Sequence, residues 1–141
     1  MIPIKDSFYS SLFALAGLWN VAIGMTGLLF TDFSIALFYG PAAVTGDFVA
    51  LLSFRLFMVA IIAFGIGYYL VSRDTGLNRG IVCLGLACKM ILFAVYLCCY
   101  FTGRATVMAA LAVTGDFLWS LLFGLFLYRT RKSVRRDFIT G

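Results

Sequence analysis

The chain has 141 residues, of which 63% are hydrophobic and only 12% charged, with a net charge of +5. A water-soluble domain of this size cannot hide that much apolar surface, so the composition points to lipid as the solvent. All six acidic residues are Asp, and neither Glu nor His occurs; this excludes bis-His haem, His-based zinc sites and Ser-His-Asp triads.

The first apolar run spans Phe8 to Phe30. Lys5 ahead of it and the Ala14–Ala16 stretch resemble a signal peptide, but the apolar run continues about a dozen residues further, so a membrane span is preferred over a cleaved leader. The following segment, TDFSIALFYGPAAVTGD, carries Phe33, Leu37, Phe38 and Tyr39 and reads as a short amphipathic piece in the membrane interface. Gly40-Pro41 should end that piece and put Pro41 in the first turn of the next helix. The second run spans Phe48 to Ser72, the third Ile81 to Phe101 and the fourth Thr106 to Tyr128. Each reaches the ~20 residues a helix needs to cross a ~30 Å hydrocarbon core, and none alternates in polarity as a barrel strand would. The fold class is therefore an all-α membrane protein, a bundle of four transmembrane helices forming one domain over residues 1–141.

The loop RDTGLNRG between the second and third runs is short and polar, which makes those helices adjacent antiparallel neighbours. Cys83, Cys88, Cys98 and Cys99 all fall in the third run without a CxxC pair, and read as packing residues. The tail, residues 129–141, is basic; it reads as a topology anchor, with anionic lipid headgroups as the alternative partner, and lacks the length and fold to recognise nucleic acid.

Four spans put both termini and the middle loop on one side. That side carries Lys5, Arg73, Arg79, Arg129, Arg131, Lys132, Arg135 and Arg136, against Arg104 alone on the other. The termini are expected to be cytoplasmic.

The hexapeptide AVTGDF occurs twice, at Ala43–Phe48 and at Ala112–Phe117, an offset of 69 residues. At that offset LLSFRLF at Leu51–Phe57 lies over SLLFGLF at Ser120–Phe126, Asn20 over Lys89 and Asp47 over Asp116. The match reads as a duplicated two-helix unit, both copies in one orientation.

Each span offers a strongly polar residue: Asn20, Arg55, Lys89 and Asp116. Three lie near mid-span, and Arg55 lies roughly 7 Å beyond its helix centre. A charge at mid-bilayer costs about 2.5–3.5 kcal/mol, so such residues face the bundle interior and pair. A Lys89–Asp116 ion pair is expected, with Arg55 and Asn20 in the same network and Asp47 as a long-reach partner for Arg55. Trp119 and Ser120, one turn beyond Asp116, should line the same site, and Tyr96 should share the face of Lys89 and Gly85. Such a network either fixes the bundle or forms a pocket; with Asp47 solvated, Arg55, Lys89 and Asp116 would leave it at +1 and favour an anionic or carbonyl-bearing guest. Gly17, Asn20, Gly24 and Gly27 recur at spacings of three and four, a face that lets a neighbouring helix approach closely, and Gly65 and Gly67 would do the same. Tyr68, Tyr69 and Tyr128 read as interfacial anchors.

Three stretches, FRLFMVAIIAFGIGYYLVSRD, NRGIVCLGLACKMILF and TGDFLWSLLF, give the chain a resemblance to the DoxX-like group of small four-helix bacterial membrane proteins. The resemblance implies a bacterial cytoplasmic membrane and a fold more than an activity; some members of the wider group are linked to quinone-coupled sulfur oxidation. The chain carries no redox cofactor motif of its own. A lipid- or quinone-like amphiphile as guest, or a place as a subunit in a homo-oligomer or larger membrane complex, is the leading expectation for function. A small transporter or channel for an anion or proton is the alternative, and a stand-alone enzyme is least favoured.

Overall fold

A computed structural model describes residues 4–44 and 46–137, the side chains of residues 4–6 and 131–137 excepted. Lys5, Arg131, Lys132, Arg135 and Arg136 thus lie outside the described side chains. Among the described residues there are five α-helices, one 3-10 turn and no strand. They run α1 Ile4–Leu29, α2 Thr31–Tyr39, the turn Pro41–Ala43, α3 Phe48–Arg73, α4 Arg79–Phe101 and α5 Val107–Asp137. Helices α1, α3, α4 and α5 are each long and apolar enough to cross a membrane, and no more than 33% of any span's apolar window is buried inside the protein. Leucines such as Leu18, Leu56, Leu111 and Leu118 are exposed along the spans, an arrangement that is stable only where the surroundings are themselves apolar. The protein is a small polytopic membrane protein.

The helices pair as two antiparallel hairpins, α1 with α3 and α4 with α5, and contact between the hairpins is much sparser. The first hairpin is built on glycine. A Cβ at Gly17 would stand 2.7 Å from the Gly65 carbonyl oxygen, and one at Gly65 would stand 2.8 Å from the Gly17 oxygen. The two backbones touch there, as the spacing of small residues predicts. Along the same face Gly24 meets Ile62 and the Met58 carbonyl. In the second hairpin, Phe93 stacks on Phe117 at 4.8 Å. At its terminal end Arg79 bonds the Thr130 hydroxyl and the Leu127 carbonyl, its guanidinium 5.8 Å from the Phe126 ring centre.

The hairpins meet at the end of the bundle that carries the chain termini. There Phe13, Phe123, Phe126 and Tyr68, all at most 1% exposed, form an aromatic plug with Tyr9. Phe13 sits edge-on to Phe126 at 5.0 Å, and Tyr68 edge-on to Phe123 at 5.0 Å, the geometry aromatic quadrupoles favour. Tyr68 is therefore a core residue and not the interfacial anchor its sequence position implied. Tyr69 and Tyr128 are exposed.

The opposite end is covered by α2. The chain bends at Phe30, and Thr31 Oγ1 donates back to the Gly27 and Leu28 carbonyls at 3.0 and 3.1 Å. Gly40, at φ 92°, ends α2 in a backbone region that favours glycine. Pro41 opens a separate 3-10 turn, and α3 begins only at Phe48, capped by Asp47. Pro41 in the first turn of α3 was the wrong expectation: the Gly40 conformation turns the chain before α3 can start. Residues of α2 pack inward, with Ile35 buried against Phe54 and Met58.

The two AVTGDF copies adopt different structures. In the first, Ala43 belongs to the 3-10 turn, Val44 is extended and Asp47 caps α3, whereas the second lies inside α5. Asp47 caps a helix; Asp116, at the matching repeat position, is mid-helix. The identical six residues are placed by their neighbours and not by a shared register.

Candidate functional site

Sparse contact between the hairpins leaves a cavity of about 320 Å³ at mid-span. All four long helices line it, together with Phe38 of α2. The aromatic plug lies on its terminal side and α2 on the other. Trp19 and Ile91 on its rim are 53% and 62% exposed, so the cavity communicates with the lateral surface of the bundle. Its walls are mainly apolar, with a few polar groups among them, the usual make-up of a binding pocket.

Lys89 and Asp116 form an ion pair on this wall, with Lys89 Nζ donating to Asp116 Oδ1. It is the one salt bridge among the described residues. The lysine side chain is 7% exposed and the aspartate 25%. Helix α4 brings Lys89 inward because Val82, Gly85 and Lys89 form its buried stripe, and Gly85 leaves room for the Tyr68 ring.

Asn20 projects from α1 into the same cavity. It is 7% exposed, and no hydrogen-bond partner for its side chain occurs among the described residues. No buried polar side-chain atom of the described residues is both inaccessible and unbonded, so the unbonded Asn20 amide keeps accessible surface, and the cavity is what it lines. Burying an amide without a partner costs on the order of 1–3 kcal/mol.

The other predicted residues are placed as follows. Ser120 is buried and donates to the Asp116 carbonyl at 2.9 Å, so it serves the α5 backbone. Trp119 packs on the aromatic plug, 6.3 Å from the Phe123 ring, away from the cavity. Tyr96 lines the cavity and its hydroxyl bonds that of Tyr39 in α2. Arg55 is exposed, and its Nε donates a long hydrogen bond, 3.4 Å, to Thr31 Oγ1 in α2. Asp47 accepts from the Ala50 amide at 2.7 Å as an N-cap, not from Arg55. Arg55 is not among the residues that line the cavity. The Lys89–Asp116 pair therefore stands in the cavity without a third charge.

Sequence reading missed Trp19, Tyr68 and Cys88 as lining residues. A signal was present for Tyr68. Phe54, Met58, Gly65, Tyr68, Val71 and Ser72 are the buried positions of α3, and all but Val71 follow one another at three- and four-residue steps or their sum, one stripe of one helix.

Helix α2 is clamped over the cavity from two sides. The Thr106 amide and hydroxyl donate to the Phe38 and Leu37 carbonyls, and the Tyr39–Tyr96 hydroxyl pair ties α2 to α4. Tyr39→Phe should leave the four spans intact and cost about 1 kcal/mol, one hydrogen bond. Hydrogen exchange of the α2 amides should accelerate while that of α4 is unchanged; equal protection in the variant would show that the hydroxyl pair does not hold α2 down.

No known protein family, curated protein or solved structure matches this chain.

Proposed function

We propose that this protein binds a single-chain or small-headed amphiphile, lipid- or quinone-like, inside the membrane. The carrying observation is the mid-span cavity in which an unpartnered, buried Asn20 amide lies with the Lys89–Asp116 pair between apolar walls. Apolar walls suit a hydrocarbon body, and a few convergent polar groups suit one oxygen-bearing head. The rim at Trp19 and Ile91 gives such a guest a route from the surrounding hydrocarbon without crossing water. The Lys/Arg bias supports cytoplasmic termini, and the resemblance to DoxX-like proteins supports a bacterial cytoplasmic membrane. The exposed apolar helix faces leave room for a homo-oligomer or a larger membrane complex.

Native mass spectrometry of the protein released from mild detergent tests this reading. A retained small molecule, present in the parent and lost in Lys89→Met, is the expected result. A bare protein in both, at any subunit count, would remove the ligand site and leave the ion pair as a fastener between α4 and α5.

A further inference from the structure

Resting on the amphiphile reading, we infer that the guest is electrically neutral and carries both a hydrogen-bond donor and an acceptor, as a long-chain alcohol or a monoacylglycerol does, and is not a carboxylate or phosphate. The sequence alone favoured an anionic or carbonyl-bearing guest, because Arg55 would have left the site positive. The fold takes Arg55 away, and Lys89 and Asp116 are the two charged residues among those lining the cavity. They are paired with each other, so the cavity is neutral.

An anionic head would have to displace Asp116 from Lys89 and leave two negative groups around one ammonium in a low-dielectric space, which mid-membrane sites do not support. A cationic head meets the mirror problem at Lys89. A neutral head meets neither. Lys89 keeps donors beyond the one used on Asp116, the second carboxylate oxygen can accept, and the Asn20 amide offers both kinds of group. A hydroxyl beside an ester or carbonyl oxygen matches that set.

Size agrees with a small head. At about 320 Å³ the cavity lies at the small end of the ~300–1,000 Å³ range of ligand pockets. The remainder of a long chain must leave through the side, past Trp19 or Ile91, into lipid.

The test uses the full chain in phosphatidylcholine nanodiscs at alkaline pH, with two diazirine probes of equal length: a sixteen-carbon alcohol and the corresponding acid in its ionised form. Peptide mass spectrometry locates the crosslinks. The alcohol should label the cavity walls around Asn20, Leu92 and Val113 about tenfold more than the acid, a difference of ~1.4 kcal/mol. Asn20→Ala should cut that labelling with the spans still protected from exchange. Asp116→Asn, which leaves Lys89 unneutralised, should reverse the preference in favour of the acid. Equal or stronger labelling of the parent by the acid overturns the neutral class while the amphiphile site stands. Alcohol labelling unchanged by Asn20→Ala also overturns it, and that arm holds even where Asp116→Asn fails to fold. Cavity labelling by neither probe above that of lipid-facing Leu118 and Leu121 overturns the amphiphile reading itself.

Discussion

Asp116→Asn destabilises the protein by about 3–5 kcal/mol, and Lys89→Met by a similar or smaller amount, whereas the double variant recovers at least about 2 kcal/mol of the summed cost. The reason is asymmetry. Removing one partner of a buried pair leaves the other charge without compensation, while removing both leaves a neutral, roughly isosteric contact. Lys89 is more enclosed than Asp116, so the ammonium stranded by Asp116→Asn has little reach to water; the aspartate stranded by Lys89→Met sits nearer the cavity opening. Equilibrium unfolding in mixed detergent micelles measures all four corners of the cycle. Additive effects would mean that the two groups do not interact in the folded protein. The same cycle separates structure from binding, because the double variant should fold yet retain no guest.

Gly17→Val and Gly65→Val should each be severe, at about 2–3 kcal/mol or more, the upper range for overpacking. Each introduced Cβ would meet the opposite helix's carbonyl oxygen within 3 Å, and backbone cannot rotate aside as a side chain can. The α1–α3 hairpin must separate, and with it the wall that carries Asn20. Gly115→Ala and Gly124→Ala are the controls. Nothing lies within 4 Å of a Cβ at either position, and alanine favours the helix, so stability should hold or rise slightly. Thermal unfolding of the four variants in one detergent decides the matter. Equal behaviour at Gly17 and Gly115 would show that the hairpin is not closely packed.

Much of the fold is legible without coordinates. The observed spans begin and end within a few residues of the apolar runs, except that α5 continues as helix to Asp137. Lipid imposes this: every backbone group in a hydrocarbon core must be bonded within its own segment, so a long apolar run has one available structure. Asp47 shows the opposite case. Its acidic side chain, read as a charge partner, is spent on a helix start, because the α3 N-terminus presents unbonded amides that an aspartate satisfies at close range.

The site was legible only in part. Lys89 and Asp116 could be matched by depth, since the cost of a lone charge in lipid forces a partner and helices α4 and α5 are consecutive. Arg55 could not be placed, because depth says nothing of the angle around the helix axis. That angle follows from which face the glycine contact at Gly17 and Gly65 turns inward. Tyr68 and Tyr69 differ by one residue and hence by about 100° of helix rotation, which puts one in the aromatic plug and the other on the surface.

Membrane residence, the number of spans and the need for an intramembrane charge pair follow from composition and from the energetics of lipid, which act on each segment separately. The cavity, its electrical neutrality, the unpartnered Asn20 and the α2 cover follow from how two hairpins meet at one end and part in the middle. That is a property of side-chain volumes packed across helices far apart in the chain.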